Sequence, residues 1–181
     1  RKIQILIRIG INNTGAIKIR TSQIILQKEI MRSFFICILL VSLFSCDDAP
    51  FYTKSYSFKN NSWSRSVKPK FIVDIKDTNL LYDFIVTLRT TTSYKYNNLW
   101  IFLNTTPPNG SPVREPFEIK TCYPDGSWIG KKTGSIVQHT LIFKRRKVPS
   151  RGKYKFILEQ GITQKLIDEV LDISFEVKLV K

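Results

Sequence analysis

Tyr82-Asp83-Phe84-Ile85-Val86-Thr87-Leu88-Arg89 decides the fold class. Tyr82, Phe84, Val86 and Leu88 alternate with Asp83, Ile85, Thr87 and Arg89, and a period of two written in aromatic and β-branched residues marks a half-buried strand. Upstream, Phe71, Val73 and Ile75 alternate with Lys70, Ile72 and Asp74; downstream, Leu99 to Leu103 continues the pattern. Pro107-Pro108-Asn109-Gly110 is a turn signal, because Asn-Gly accepts the positive φ angles of a tight hairpin. Phe117, Ile119 and Thr121 form the expected return strand. Tyr123-Pro124-Asp125-Gly126-Ser127 and Pro149-Ser150-Arg151-Gly152 are two more turns, and a strand from Ile136 to Phe143 lies between them. Tyr154, Phe156 and Leu158 make one face of the next strand, and Ile173, Phe175, Val177 and Leu179 one face of the last. Only Gln164 to Leu171 reads as helical, through Leu166, Ile167, Val170 and Leu171, so a short helix is expected there. Strands at this spacing without a long helix predict an all-β, single-domain antiparallel β-sandwich, jelly-roll or immunoglobulin-like.

Ahead of these strands the sequence changes character. The only methionine, Met31, precedes Arg32 and an apolar run from Phe34 to Phe44 that stops at Ser45-Cys46. Eleven residues is about half of the roughly 20 that cross a bilayer as a helix, and it is the length of a signal-peptide core. Leu43-Phe44-Ser45-Cys46 is similar to a lipobox, in which a leucine three before the cysteine and a small residue just before it direct lipidation and cleavage. Cys46 would then begin the mature chain as a diacylglyceryl thioether. At about 0.8 kcal/mol per buried methylene, several acyl chains make such an anchor nearly permanent. Residues 1–30 contain no methionine and no turn chemistry, and read as an upstream leader outside the fold. The expected division is therefore leader (1–30), lipoprotein signal peptide (31–45), lipidated start with linker or first strand (46–58) and β-sandwich domain (59–181).

The full chain holds 29 Lys+Arg against 14 Asp+Glu, a net +15, with 43% hydrophobic residues. That is too apolar for a disordered polycation, and it makes anionic partners the first class to consider. Seven of the bases and one acid precede Cys46, so the chain from Cys46 onward carries 22 bases and 13 acids, a net +9. An exported lipoprotein does not meet nucleic acid, which removes that partner. The densest positive stretch is Lys144-Arg145-Arg146-Lys147, continued by Arg151, Lys153 and Lys155. It is a candidate contact for lipid head groups or an acidic partner, or else a solvated hairpin end whose charges discourage edge-strand association.

Catalysis finds little support. His139 is the single histidine, which removes sites needing two imidazoles. It sits opposite the apolar phase of its strand and is expected to face solvent, and no Gly-x-Ser-x-Gly elbow accompanies it. Asp168, Glu169 and Asp172 read as a solvated face, and Asp125 as a turn residue. Cys37, Cys46 and Cys122 never fall at C-x-x-C spacing; Cys122, the thiol left once Cys46 is lipidated, is expected to be a small buried apolar side chain. No catalytic residue, no metal and no cofactor beyond the covalent lipid are expected. Trp128, Tyr94 and Tyr96 are the candidates for an exposed aromatic rim able to stack on sugars, with Trp63 and Trp100 the remaining tryptophans.

Tyr82 to Arg89, followed by Tyr94-Lys95-Tyr96-Asn97-Asn98-Leu99, resembles the central signature of the gliding-motility lipoprotein GldH family. The resemblance continues in order through Pro108-Asn109-Gly110, Tyr123 to Gly130, Pro149 to Tyr154 and Glu159-Gln160. It departs at Lys131-Lys132-Thr133-Gly134 and at Gln160-Gly161-Ile162-Thr163. Asp47-Asp48 after the lipobox resembles the export signal of surface lipoproteins in some gliding bacteria. The resemblance implies a lipid-anchored envelope protein that supports gliding, works with other envelope or gliding-machinery proteins and has no enzymatic activity. A surface glycan-binding lipoprotein is the alternative reading, and a lipoprotein hydrolase the least supported one.

Overall fold

Each alternating run becomes a strand with one buried face. The computed structural model describes residues 50–180, together with Met31. The expected leader, signal peptide and lipidation site at Cys46 lie outside the described residues. The long strands are β1 (Tyr52–Ser57), β3 (Lys70–Ile75), β4 (Tyr82–Thr91), β5 (Asn98–Thr106), β6 (Val113–Lys120), β8 (Ile136–Arg146), β9 (Gly152–Gln160) and β11 (Val170–Leu179). Three short strands interleave: β2 (Ser62–Ser64), β7 (Lys131–Thr133) and β10 (Leu166–Asp168).

One sheet has the order β1-β11-β4-β8-β7 and the other β3-β9-β5-β6, with antiparallel neighbours throughout; β2 and β10 form a separate pair. The chain passes from the first sheet to the second at β3, returns at β4, and crosses again at β5, β8, β9 and β11. Eight strands shared in this order between two sheets make a jelly roll, which selects between the two topologies left open by the strand pattern.

The inner faces carry the residues that the alternation marks. Phe71, Val73, Ile75, Val86, Leu88, Leu99, Ile101, Leu158, Ile173, Phe175 and Val177 have no solvent exposure. Phe175 lies at the centre of an aromatic cluster, 4.6 Å from Phe156, 5.5 Å from Phe71 and 6.2 Å from Phe84 between ring centroids. Burial of each such ring contributes about 1.5–3 kcal/mol. Leu179 is the exception in its strand, exposed at the last paired position of the sheet, opposite Tyr82.

No helix forms over Gln164–Leu171. Leu166 is exposed and Ile167 buried, as a strand requires; Glu169 then takes a left-handed φ of 67°, and a bulge between Val170 and Asp172 shifts the register of β11 against β4. The interruption places Leu166, Ile167, Val170 and Leu171 at helical spacing although the backbone is extended on either side. Asn109-Gly110 also differs from expectation: residues 107–112 form a wider connection, with positive φ at Gly110 alone.

The two ends of the sandwich differ. At one end β2 and β10 close over the core, with Trp63 fully buried, stacked on Phe58 at 4.8 Å and donating from Nε1 to the Val67 carbonyl at 2.9 Å. The opposite end carries the β3–β4, β5–β6 and β8–β9 connections, the start of β1 and the finish of β11. It has no such lid.

Candidate functional site: the β8–β9 end of the sandwich

The β8–β9 end collects the basic run. Lys144, Arg145, Arg146, Lys147 and Arg151 are all exposed. Their directions are set by a bulge: Tyr82 pairs with Arg146 and Phe84 with Phe143, so Lys144 and Arg145 together oppose Asp83. Arg145 adopts a φ of 52°, and its backbone N–H donates to the Asp83 carboxylate at 2.7 Å. Without the extra residue, strand alternation from the inward Phe143 would turn Arg145 in and Arg146 out. With it, Arg146 shares the inner face with its partner Tyr82. A cation is thus aimed at the gap between the sheets.

Apolar side chains flank the cations. Phe51, Leu80 and Leu179 are each at least 40% exposed and belong to the same end, where the Phe51 ring meets Tyr82 at 5.9 Å between centroids. Gly152 opens β9 with a φ of 125°, and a Cβ there would come within 3.0 Å of Pro108; its absence lets the β5–β6 connection lie against the β8–β9 loop.

His139 is not on the surface. It is 1% exposed, with Nδ1 donating to the Ile129 carbonyl at 2.6 Å and Nε2 accepting from the Thr90 hydroxyl at 3.1 Å. Burial lowers its pKa below the ordinary 6.5, opposed in part by the Ile129 hydrogen bond. The polar Gln138-His139-Thr140 context suggested an exposed ring, but Thr90 and Ile129 supply internal partners that make burial affordable. With no carboxylate among those two hydrogen-bonding partners, the ring is a structural crosslink between β4, β8 and the 129 turn.

The aromatic candidates separate. Tyr94 is buried, not on a rim, donating to the Asn98 carbonyl at 3.1 Å, and burial drives its pKa well above the usual tyrosine value. Tyr96 is exposed and donates to Gln164 Oε1 at 2.7 Å. Trp128 is half-buried against the core, 6.2 Å from the His139 ring. The tryptophan that does face solvent is Trp100, 43% exposed on the outer face of the second sheet. Strand phase carried that signal, since Trp100 sits between the buried Leu99 and Ile101.

Among the acids, Asp172 departs from the expected solvated face: it is buried and paired with Arg89. Glu169 bonds the Thr91 hydroxyl. Asp125 acts as the turn residue, accepting from the Ser127 N–H at 2.9 Å and its hydroxyl at 2.6 Å, which hold its carboxyl below the usual range. Cys122 is half-buried, not fully. Among the described residues, no three His, Cys, Asp or Glu side chains converge on a common point.

Fold and surface together define a small jelly-roll domain with a basic, partly apolar end. Residues 50–177 match the family described as GldH lipoprotein, and the chain belongs to that family. It is 26% identical to a gliding motility lipoprotein GldH homolog of Christiangramia forsetii, over 81% of this chain and 94% of that protein. It is 24% identical to the gliding motility lipoprotein GldH of Flavobacterium johnsoniae, over 83% and 98%. Two solved structures overlap it loosely. One is TmCBM61 in complex with β-1,4-galactotriose, at TM-score 0.33, 12% identity and 72% and 70% coverage. The other is the EclA C-terminal domain, a sugar-binding protein, at TM-score 0.29, 13% identity and 76% and 82% coverage.

Proposed function

We propose that this chain is a lipid-anchored cell-envelope protein that supports gliding motility by non-enzymatic binding, as a scaffold for other components of the gliding or secretion apparatus. Family membership and the relatives' names support the lipoprotein and gliding parts of this reading. One observation carries the orientation. Cys46 precedes Pro50 by four residues, no more than about 14 Å of extended chain, and β1 starts at the end that holds Arg145, Arg146 and Lys147. Tyr52, Phe84 and Phe143 are level across the sheet, with β11 between β1 and β4. Three strand spacings of about 4.8 Å therefore separate the anchored edge from the basic edge. An acyl anchor on Cys46 holds the cations within reach of the head groups of the membrane that bears it, and leaves the β2–β10 end free for protein partners.

The test is Cys46→Ala. The protein should fold and leave the membrane fraction after a high-salt wash; continued full sedimentation would refute the anchor. Lys144→Glu with Arg146→Glu should lower binding of the released protein to anionic vesicles at low salt, and unchanged binding would remove the basic contact. The glycan-binding alternative draws on one feature, Trp100 exposed beside Phe102, whose ring lies 3.4 Å beneath the Arg114 guanidinium. Trp100→Ala with no loss of retention on an envelope-polysaccharide column would eliminate it.

A further inference from the structure

The β8–β9 end of the sandwich contains a cavity of about 330 Å³ between the two sheets, within the size range of small-molecule sites. Its walls are chiefly aromatic, with Phe84 and Phe143 from the first sheet facing Phe117, Tyr154 and Phe156 from the second. Phe117 and Phe143 meet edge-on at 4.7 Å and bridge the sheets along one side. The cavity reaches solvent: Phe84, Leu103, Val148 and Phe156 each retain 5–8% exposure, whereas core residues deeper in the same strands, such as Val86, Ile101 and Leu158, retain none. At the mouth lie Arg146, turned inward by the Arg145 bulge, and Lys147. Among the described residues neither has a carboxylate within ion-pair distance. Glu115 and Thr105 line the wall contributed by β5 and β6.

We propose that this cavity binds one acyl chain of an anionic amphiphile, seated among the rings with its carboxylate or phosphate head on Arg146 and Lys147. Chiefly aromatic walls exclude a fully polar ligand, and two cations without an ion-pair partner at the solvent-exposed mouth favour an anionic head over a neutral one. A free fatty acid and a chain of a bilayer phospholipid share this chemistry. The proposal rests on the membrane-anchored reading only for the supply of ligand. An inward arginine beside a bulge also blunts a strand edge, and that role by itself calls for no ligand.

The experiment is photocrosslinking of the full-length protein in its own membranes, with adducts mapped by mass spectrometry. One arm uses a diazirine-bearing palmitate; the other uses vesicles containing diazirine-bearing phosphatidylglycerol. Adducts on the peptides that carry Phe117 and Phe143 are expected in at least one arm, and the arm identifies the source. Arg146→Gln should lower labelling about tenfold, the loss of one charge-assisted contact. Leu103→Trp, which fills the cavity, should abolish it, and the more exposed Thr105→Phe serves the same purpose if Leu103→Trp does not fold. No adducts on those peptides in either arm, or labelling indifferent to Arg146→Gln and to cavity filling, would overturn the proposal. Cys46→Ala protein that leaves the membrane yet still reacts with the palmitate probe at those peptides would support this site independently of the anchor, which separates failure of this site from failure of the anchor.

Discussion

Asp172 on β11 lies directly opposite Arg89 on β4, and its two carboxylate oxygens each receive the Arg89 Nε–H at 2.9 Å while Oδ2 also accepts from Nη2 at 2.5 Å. The acid is buried and the guanidinium half exposed, so the pair closes the bulge at the start of β11 from its solvent side. Arg89→Ala should destabilise the domain by about 2 kcal/mol, because it leaves the buried Asp172 carboxylate without its partner, and Asp172→Ala by less, because water solvates the half-exposed guanidinium left behind. Thermal unfolding checks both, and equal costs for the two substitutions would contradict the asymmetry.

His139 makes stability depend on pH. Its folded pKa lies below the ordinary 6.5 because burial disfavours the charged ring, with the Ile129 hydrogen bond opposing. The unfolded chain therefore takes up a proton that the folded chain refuses. The stabilisation is fully present above pH 6.5 and is lost as the pH falls through and below that value. Unfolding midpoints in urea at pH 7.5 and 5.5 should fall for the natural protein, and the fall should be smaller for His139→Gln.

Gly130 cannot be replaced. It holds a φ of 123°, and a Cβ would lie 2.1 Å from the Gln138 carbonyl oxygen. Backbone is the obstacle, so the turn that presents the Ile129 carbonyl to His139 must move. Gly130→Ala should cost about 2 kcal/mol or more, and it should bring the pH response of the protein closer to that of His139→Gln.

The three tryptophans report separate places. Trp63→Phe should remove the emission least accessible to acrylamide and destabilise the domain through the lost Val67 hydrogen bond. Trp100→Phe should remove the most readily quenched emission and leave the unfolding midpoint within about 0.5 kcal/mol. The opposite order of quenching would contradict the orientation of β2 and β5.

Glu159 sits between two cations, 2.9 Å from Lys68 and 3.3 Å from Arg114. Partial burial pushes its pKa up, but Lys68 and then Arg114 outweigh this and hold it below the usual glutamate range. Because these cations are about half exposed, the effect should be modest and salt-sensitive. Glu159→Gln should cost less than about 1 kcal/mol, and the cost should shrink further in 0.5 M salt.

Most of the sandwich was legible because its strands bury one face only. Where Phe71, Val73 and Ile75 or Tyr154, Phe156 and Leu158 recur at every second position, period assigns the strand and its inner side, even with Ile72 and Ile157 between them. Legibility fails where the backbone inserts a residue. The bulge at Val170–Asp172 imitates helical spacing, and the bulge at Lys144–Arg145 turns Arg146 inward, which no one-dimensional pattern encodes. Burial of His139 and Tyr94 was also hidden, since it depends on partners far along the chain or outside their own strands: Thr90 and Ile129 for one, the Asn98 carbonyl for the other. The basic run was visible as charge, but its position at the open end and beside β1 needed the topology.

β11 follows every other strand in the described chain, yet it sits between β1 and β4, pairing with β4 along nearly its whole length and with β1 from Asp172 to Val177. As the polypeptide emerges in order from its point of synthesis or from a translocation pore, β1 has no neighbour and β4 lacks one until the final ten-residue strand arrives. Such long-range closure is slow. The first sheet therefore stays incomplete until the last of the described strands has emerged, and the edges of β1 and β4 that face β11 remain unpaired until then.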